Sequence, residues 1–251
     1  MTGNVLEVRG AAKHFGGVIA LKHVDLVLEG GEILGLIGPN GSGKTTLVNM
    51  ISGFLKPTAG EFVARGRSIA GQPPHRIARA GLARTFQNLR IFRRRTVVEN
   101  VLIGQTSRIS SLDLFLPFVR RGAHHDRAMA LLERFGLADK AGNLAGALSF
   151  GEQKRLELAR ALACEPDILL LDEPAGGMNP SEIDELKATL RAMQAEGLSI
   201  LLIEHNMRLV MSVCDRIAVL CFGEVIADGP PDEVRRHPEV IRSYLGREGG
   251  A

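Results

Sequence analysis

Short runs of apolar residues recur along the chain and alternate with segments whose apolar positions repeat every three or four residues. The runs include "EILGLIG", "DILLLDE", "LSILLIEH" and "RIAVL", and several are nearly continuous in Leu, Ile and Val. Continuous runs of this kind are typical of central strands that are covered by helices on both faces. Helical periodicity is present at 44–52, 152–164, 181–196 and 206–213. Because the two patterns alternate, they predict an α/β fold whose sheet is largely parallel.

Two stretches interrupt this alternation and suggest how the chain is divided. Residues 88–147 carry few strand signals and several helix-like ones, which predicts a mostly helical insert. The insert would separate two parts of one core domain, residues 1–87 and 148–229. Residues 230–251 follow a Gly-Pro turn and are predicted to form a helical C-terminal tail.

Composition narrows the classes of function. The 251 residues are 45% hydrophobic and 24% charged, which is ordinary for a folded protein with a sizeable core. A net charge of +3, one tyrosine and no tryptophan argue against nucleic acid as a partner. The N-terminus does not resemble a signal peptide, and no apolar run approaches the roughly 20 residues that a membrane helix needs. We therefore expect a cytoplasmic protein that reaches a membrane only through a partner.

The segment "GPNGSGKTT" fits the phosphate-binding pattern G-x-x-x-x-G-K-[ST] in full and lies between a strand-like and a helical run. Glycines in such a loop let backbone N–H groups converge on phosphate oxygens, and the helix N-terminus adds partial positive charge. Lys44 can reach the outer phosphates, and the Thr45 hydroxyl can bind Mg²⁺. The candidate nucleotide-binding residues are Gly38, Pro39, Asn40, Gly41, Ser42, Gly43, Lys44, Thr45 and Thr46.

Polar residues follow two further apolar runs at the points where parallel strands would end. Asp172 and Glu173 follow "ILLL", and His205 follows "ILLIE". Ligands of parallel sheets bind at the carboxyl ends of the strands. Asp172 could therefore hold Mg²⁺ through water, and Glu173 could accept a proton from an attacking water as the general base. His205 could place its imidazole near the γ-phosphate, although a lone histidine is more often a surface residue or a satisfied core residue.

The order of these motifs resembles that of the ATPase subunits of ATP-binding-cassette (ABC) transporters over nearly the whole chain. The phosphate loop is followed by "RTFQNLRIF", "LSFGEQ", "ILLLDEP", "GGMNP" and "IEHNM". Within the family, "ARAGLARTFQNLRIF", "TVVENVLIG" and "VIRSYLG" look most like an ATPase of branched-chain amino-acid importers. The resemblance implies an ABC-type P-loop NTPase fold, with a mostly parallel sheet, flanking helices, an N-terminal antiparallel β region and a helical subdomain.

The resemblance also implies roles for individual residues around a bound ATP. Phe15 would stack on adenine, whereas the residues alone suggest a core aromatic. Gln87 would contact the Mg²⁺ and the attacking water at the hinge to the helical subdomain, although a solvent-exposed amide is the commoner fate of glutamine. Asp172 would hold the metal, Glu173 the water and His205 the γ-phosphate.

In the family, "LSFGEQ" is the signature motif, which contacts the ATP bound to another subunit. Ser149 and Gly151 match its usual form L-S-G-G-Q, whereas Phe150 and Glu152 depart from it. The resemblance implies that Ser149, Gly151 and Glu152 contact the nucleotide in trans. Asn179 stands where the family often has an aspartate, and it could hydrogen-bond across the subunit interface without carrying a charge.

The implied function is an ATPase that drives uptake of branched-chain or related amino acids. Its partners would be a second ATPase subunit, identical or related, two transmembrane permeases and, indirectly, a substrate-binding protein. The chain would lie on the cytoplasmic face of the membrane. Two segments could contact the permeases: the arginine-rich "RIFRRR", otherwise a solvated loop, and residues 110–125, which more simply pack on the helical insert.

Three other functions remain as alternatives. An ABC transporter for urea, amides or lipopolysaccharide would carry the same motifs, because other subunits choose the substrate. Soluble ABC proteins that act on DNA or ribosomes usually have two cassettes or a long coiled coil, and neither is visible in this sequence. A P-loop kinase or GTPase leaves "LSFGEQ" unexplained, and the guanine-reading N-K-x-D segment of GTPases is not found.

Overall fold

A computed structural model describes residues 3–106 and 117–245. The strands are β1 Asn4–Phe15, β2 Val18–Glu29, β3 Ile33–Ile37, β4 Ala59–Ala64, β5 Arg67–Ser68, β6 Leu82–Arg84, β7 Ile168–Asp172, β8 Ser199–Ile203, β9 Arg216–Cys221 and β10 Glu224–Gly229. The helices are α1 Lys44–Ile51, α2 Pro74–Arg79, α3 Val97–Gln105, α4 Pro117–Arg134, α5 Phe150–Leu162, α6 Pro180–Ala195, α7 Met207–Val213, α8 Pro231–Arg236 and α9 Pro238–Leu245. Among these helices, none is both long enough and apolar enough to cross a membrane.

The strands form one sheet in the order β5-β4-β1-β2-β10-β9-β3-β8-β7-β6. Strands β9, β3, β8 and β7 are parallel neighbours, whereas β1 pairs antiparallel with both β2 and β4. The predicted α/β fold with an antiparallel N-terminal region is therefore confirmed. Every residue of β3, β7 and β8 is buried, which explains why these strands are continuous apolar runs.

This parallel arrangement decides where the candidate site lies. Strand β3 leads into the loop before α1, β7 ends at Asp172, and His205 follows β8 by two residues. Because the parallel strands β3, β8 and β7 are adjacent, their carboxyl ends lie at one edge of the sheet. Three motifs that are far apart in the sequence are thus brought to the same edge.

The chain divides into two compact units. The described residues of Met1–Leu82 and Asp167–Ala251 form the sheet unit, and those of Ala83–Pro166 form the helical unit. In the helical unit, α3 packs against both α4 and α5. This packing makes the helical unit longer at both ends than the predicted insert at 88–147, since it includes the signature segment and α5.

The C-terminal tail packs on the sheet, whereas the apolar stretch of the insert lies mostly outside the described residues. Helix α8 packs against β9 and β10, and α9 packs against α8 and β10, so the tail belongs to the sheet unit. Most of the apolar stretch at 110–125 lies outside the described residues, including the side chains of 117–121. Its predicted packing on the insert stays a prediction.

Candidate active site

The loop between β3 and α1 has a backbone that requires glycine at two points. Gly38 has a φ of 149°, and a Cβ at this position would lie 2.0 Å from the carbonyl oxygen of Leu220. Gly43 has a φ of 109°, and its Cβ would lie 2.8 Å from the carbonyl oxygen of Ala20. Both glycines let the chain turn sharply enough for α1 to begin at Lys44. The predicted phosphate loop therefore has the expected strand–loop–helix form.

The other residues of the loop differ in exposure. Ser42 is buried, and its carbonyl oxygen accepts the N–H of Gly223 at 3.0 Å, which ties the loop to the turn after β9. Thr45, in the first turn of α1, is exposed, so its hydroxyl is accessible to a ligand. Among the other predicted phosphate-binding residues, Pro39 and Thr46 are partly buried, and Asn40 and Gly41 are exposed.

The Lys44 ammonium group is held against the beginning of the loop. Its Nζ donates to the carbonyl oxygens of Gly38 at 2.7 Å and Pro39 at 3.0 Å. Partial burial lowers the pKa of Lys44, and the charges of Glu173 and Asp172 act in the opposite direction and raise it. The electrostatic effect of both carboxylates on Lys44 agrees with their convergence at this edge of the sheet.

The two acidic residues differ in environment. Asp172 is the last residue of β7 and is 8% exposed, whereas Glu173 is partly exposed and begins the following loop. Glu173 has a φ of 50°, and its N–H donates to the carbonyl oxygen of Ile203 at 2.9 Å. Its Oε1 lies 3.7 Å from Nδ1 of His205, whose side chain is 67% exposed. The structure thus brings together the predicted base and the predicted phosphate-contacting histidine.

Glu204 is a site residue that the sequence did not reveal. Its side chain is almost fully buried, with 1% exposure. Its carboxylate accepts backbone N–H groups from Ala175 at 2.7 Å, His205 at 3.0 Å and Asn206 at 3.1 Å. The available signal was a carboxylate at the end of an otherwise apolar strand, because charged residues are seldom fully buried without partners.

Phe15 and Asn179 occupy different settings. Phe15, at the end of β1, is 48% exposed, and the Nζ of Lys13 lies 5.0 Å from the centroid of its ring. This exposure rules out the core-aromatic interpretation and leaves a ring face for stacking. Asn179 caps α6, because its Oδ1 accepts the N–H of Glu182 at 3.0 Å while the Glu182 carboxylate accepts the N–H of Asn179 at 2.8 Å. The predicted stacking of Phe15 on adenine and the predicted hydrogen bond of Asn179 across the subunit interface stay predictions.

In the helical unit, the signature segment forms the capped start of α5. The Ser149 Oγ accepts the N–H of Glu152 at 3.4 Å, and the Glu152 carboxylate accepts the N–H of Ser149 at 2.9 Å. Lys140 forms an ion pair with the other oxygen of Glu152. The Lys140 hydrogen bond, followed by the Ser149 N–H, lowers the pKa of Glu152 to about 2. The side chain of Glu152 thus supports the turn that presents Ser149 and Gly151.

Phe150, the departure from the usual signature glycine, is exposed, and Lys154 Nζ lies 5.1 Å from the centroid of its ring. Gln153, the next residue after Glu152, is buried and donates from Nε2 to the carbonyl oxygen of Leu148 at 2.8 Å. The aromatic ring therefore points away from the core of its unit, whereas the glutamine helps to fix the turn. The predicted contacts of Ser149, Gly151 and Glu152 with a nucleotide in trans stay predictions.

Gln87 lies in the irregular segment between β6 and α3 and is exposed, and its predicted contacts with metal and water stay predictions.

Three residues after Gln87, the backbone of Arg90 is held by α5. Glu157 accepts the N–H of Arg90 at 3.2 Å, and Arg160 donates to the Arg90 carbonyl oxygen. Burial raises the pKa of Glu157, and its hydrogen bond from Arg90 lowers it. The helix that begins at the signature motif thus holds the start of the arginine-rich segment.

The arginine-rich segment is also paired with the chain that enters the signature motif. The N–H of Ala145 donates to the carbonyl oxygen of Arg95 at 2.9 Å, and the N–H of Gly146 donates to that of Arg93 at 3.0 Å. Asn100, which is fully buried, accepts the N–H of Phe92 at 2.8 Å. The side chains of Arg93, Arg94 and Arg95 are exposed. The backbone is therefore fixed while the cationic groups face outwards, and no sequence motif had singled out Asn100 or Glu157 for this task.

With this geometry established, the comparisons decide the family. Residues 21–176 match the family described as "ABC transporter", and residues 224–250 match the one described as "Branched-chain amino acid ATP-binding cassette transporter". The chain belongs to the ABC transporter ATPase family. As a member of it, the chain binds nucleotide and hydrolyses ATP, and ABC ATPases of transporters work with membrane permease components.

Individual relatives of this ABC ATPase are similar over almost their whole length. The high-affinity branched-chain amino acid transport ATP-binding protein LivG of Salmonella typhimurium is 47% identical, covering 98% of this chain and 99% of its own. The corresponding protein BraF of Pseudomonas aeruginosa is 44% identical with the same coverage. Among solved structures, the ADP conformation of MJ1267, an ATP-binding cassette of an ABC transporter, matches with a TM-score of 0.87 and 31% identity, covering 97% of this chain and 99% of that one.

Proposed function

We propose that this ABC ATPase powers an importer of branched-chain amino acids from the cytoplasmic face of the membrane. The observation that carries the proposal is the convergence of Lys44, Glu173 and His205 at one edge of the parallel sheet, in a chain whose relatives LivG and BraF are named for branched-chain amino acid transport. The match of the C-terminal residues 224–250 to the branched-chain amino acid family supports the substrate class independently of the phosphate loop.

Lys44 and the phosphate loop would hold the phosphates of ATP. The Lys44 Nζ already lies at the loop, on the carbonyl oxygens of Gly38 and Pro39. If phosphate oxygens replaced these two carbonyl oxygens as acceptors, the ammonium group would face negatively charged acceptors, and the coulombic attraction would be stronger than to neutral carbonyls. The exposed ring of Phe15 would stack on the adenine.

Glu173 would act as the general base. As the water oxygen forms its bond to the γ-phosphorus, Glu173 would accept a proton from that water, and the bond from the γ-phosphorus to the bridging oxygen would break. ADP and phosphate are then released. His205, within 3.7 Å of Glu173, would hydrogen-bond the γ-phosphate and orient the base. Glu173 is suited to proton transfer because it is partly exposed and held by its backbone.

The residues around the phosphate loop fit a Mg²⁺ ion. Asp172 offers a nearly buried carboxylate at the end of β7, and Thr45 offers an exposed hydroxyl in the first turn of α1. Both are hard oxygen ligands of the kind that Mg²⁺ prefers. Bound there, the ion supplies positive charge that neutralises the phosphate oxygens.

The signature segment would complete the site of a second ATPase subunit, identical or related. Ser149 and Gly151 lie at the start of α5, where the helix dipole favours an anion. The Lys140–Glu152 ion pair supports this assignment, because it compensates the negative charge that Glu152 adds beside an incoming phosphate.

The exposed arginines of the segment 90–95 would dock on a transmembrane permease. Their backbone is fixed by hydrogen bonds from Ala145 and Gly146, while the cationic side chains face outwards. A rigid cationic surface of this kind suits an acidic patch on the partner. A substrate-binding protein would act on the permeases and reach this chain only indirectly.

Reconstitution tests the proposal. The chain should be purified with the membrane subunits that copurify with it, placed in proteoliposomes with ATP on its side, and assayed for uptake of labelled leucine with the cognate binding protein outside. We expect ATP-dependent leucine uptake that is lost with Lys44→Ala. Uptake of urea or an amide without uptake of leucine, or transport of lipopolysaccharide, would contradict the assigned substrate and leave the ATPase assignment intact.

A further inference from the structure

The Glu204 carboxylate joins two loops that each carry a residue of the proposed catalytic site. One oxygen, Oε1, accepts the N–H of Ala175, two residues after Glu173. The other oxygen, Oε2, accepts the N–H groups of His205 and Asn206. Since the three donor–acceptor distances lie between 2.7 and 3.1 Å and the side chain is 1% exposed, these are well-formed bonds shielded from water.

Together with a bond from Glu173 itself, these bonds fix the backbone on both sides of Glu173. On its N-terminal side, the Glu173 N–H is fixed to the carbonyl oxygen of Ile203, the last residue of β8. On its C-terminal side, Ala175 is fixed to Glu204, which directly follows Ile203. His205 comes next in the chain, and its Nδ1 lies 3.7 Å from the Glu173 carboxylate. The relative position of the two side chains therefore depends on the backbone of both loops, which Glu204 holds at Ala175 in one loop and at His205 and Asn206 in the other.

We propose that Glu204 is a positioning residue for ATP hydrolysis, which holds the loops of Glu173 and His205 at the separation that the reaction needs. This inference rests on the proposed roles of Glu173 as base and His205 as phosphate contact. Glu204 does not touch the reacting atoms; it acts through the backbone of Ala175, His205 and Asn206. Small errors in the placement of catalytic groups lower the turnover number without a matching loss of binding.

The chemistry of the carboxylate makes the inference testable with an isosteric change. A carboxylate has two acceptor oxygens, whereas the amide of glutamine has one acceptor oxygen and an NH₂ group that only donates. Glu204→Gln can therefore accept from Ala175 or from the pair His205 and Asn206, but its NH₂ must face the N–H groups of the other loop. The substitution therefore breaks the hydrogen-bonded link between the two loops and keeps the volume of the side chain.

The test measures phosphate release and ATP binding by the full-length chain with Glu204→Gln, at temperatures below its unfolding transition. We expect kcat to fall by about 10- to 100-fold, with KM for ATP within about twofold of the original. Glu204→Asp keeps two acceptor oxygens on a shorter side chain and should give a kcat between that of Glu204→Gln and that of the unmodified protein.

Asp215→Asn is the matched control. Asp215 also accepts a backbone N–H, that of Ile33 at 2.9 Å, and it binds Arg191 at 2.7 Å, but it lies at the opposite ends of the strands from the phosphate loop. The same acid-to-amide change there should lower thermal stability and leave kcat unchanged. If Glu204→Gln also changed only stability, with the original kcat, the role of Glu204 would be structural and the inference would be overturned.

Two further outcomes are decisive. If Glu204→Gln does not fold, Glu204→Asp decides: a reduced kcat at unchanged KM supports the inference, and an unchanged kcat overturns it. Glu173→Gln in the same assay separates this inference from the proposed site. Loss of turnover in Glu173→Gln with full turnover in Glu204→Gln would refute only the role of Glu204, whereas full turnover in Glu173→Gln would refute the proposed base.

Discussion

Glu173 and His205 face each other across the ends of two neighbouring parallel strands, with Oε1 and Nδ1 3.7 Å apart. The two residues are separated by a helix and a strand in the sequence and meet because β7 and β8 pair in register, with Asp172 opposite Ile203. The pairing places a carboxylate and an imidazole together at the edge where the phosphate loop begins, so each can be tested by its own substitution.

Removal of the charge of Glu173 should stop turnover without loss of ATP binding. Glu173→Gln keeps the shape of the side chain but cannot accept the proton from water, and we expect kcat to fall by about 100-fold or more. Phosphate release measures kcat, and binding of a fluorescent ATP analogue measures affinity. Glu185→Gln, on the exposed side of α6, is the control with the same chemical change. Retention of most of the activity in Glu173→Gln would mean that another group activates the water.

Removal of the imidazole of His205 should also lower kcat without loss of ATP binding. His205→Ala deletes the group that lies beside Glu173 and leaves the phosphate loop untouched, so we expect a loss of about 100-fold in kcat with ATP binding preserved. The measurement is phosphate release at saturating ATP. His75→Ala, at an exposed position of α2, is the control and should keep full activity. An active His205→Ala would show that hydrolysis does not need the imidazole of His205.

A large cation at Ser149 should separate ATP binding from hydrolysis. Ser149→Arg projects a long side chain from the start of α5, where it would block the approach of a second subunit, while the phosphate loop of the same chain is unchanged. We expect ATPase activity to fall to background and the ATP affinity of the monomer to stay within about twofold of the original. Loss of the Ser149 helix cap should also lower the free energy of unfolding by about 1 kcal/mol. Ser68→Arg, exposed on β5, is the control. A large drop in monomer binding would contradict the assignment in trans.

The ion pair between Lys140 and Glu152 predicts a shift in titration. Lys140→Gln removes the main cause of the low pKa of Glu152, so this pKa should rise from about 2 towards its ordinary value near 4.5. Because the folded-state pKa is depressed, the stabilisation from the Glu152 charge is full above the unfolded-state pKa and is lost as pH falls from about 4.5 to about 2. In Lys140→Gln the stabilisation from the Glu152 charge should therefore be lost at a higher pH than in the unmodified protein.

Carboxyl ¹³C NMR would follow the titration of Glu152 in Lys140→Gln, and circular dichroism would follow acid unfolding. The control is Lys187→Gln on α6, a position in the other unit that should leave the Glu152 titration unchanged. An unchanged pKa of Glu152 in Lys140→Gln would assign the shift to the backbone N–H of Ser149 instead.

Charge reversal in the arginine-rich segment should uncouple transport from ATP hydrolysis. Arg93→Glu combined with Arg94→Glu places like charges against an acidic partner, so leucine uptake by the reconstituted complex should fall about tenfold or more. ATPase activity of the isolated chain should remain, because both side chains are exposed. The control is Arg235→Glu with Arg236→Glu, exposed on α8. Normal uptake with the reversed segment would identify it as a solvated loop.

The sequence was informative wherever chemistry is carried by neighbours in the chain. The phosphate loop could be predicted because Gly38, Gly43 and Lys44 act through local backbone geometry that their spacing already implies. The parallel sheet could be predicted because complete burial of β3, β7 and β8 leaves continuous apolar runs. The family resemblance then added roles that spacing alone does not give.

What escaped prediction depends on contacts between segments that are distant in the chain. Glu204 accepts from Ala175, 29 residues away, and no periodicity reports such a bond. Lys140 forms an ion pair with Glu152 from 12 residues away. The sequence therefore could not show that the charge of Glu152, which departs from the family motif, is balanced by a lysine. Phe15 could not be assigned to core or surface until the exposed end of β1 was known.

The left-handed backbone of Glu173, with its φ of 50°, sets activity against stability at one position. A non-glycine residue in this conformation carries a strain on the order of 1 kcal/mol, which glycine or asparagine would largely relieve. Under the proposed role of Glu173 as the base, random mutagenesis followed by selection for heat resistance alone would therefore enrich these residues at 173 and yield more stable proteins that bind ATP without hydrolysing it. Engineering of a thermostable version of this transporter subunit has to keep position 173 constant and look for stability elsewhere.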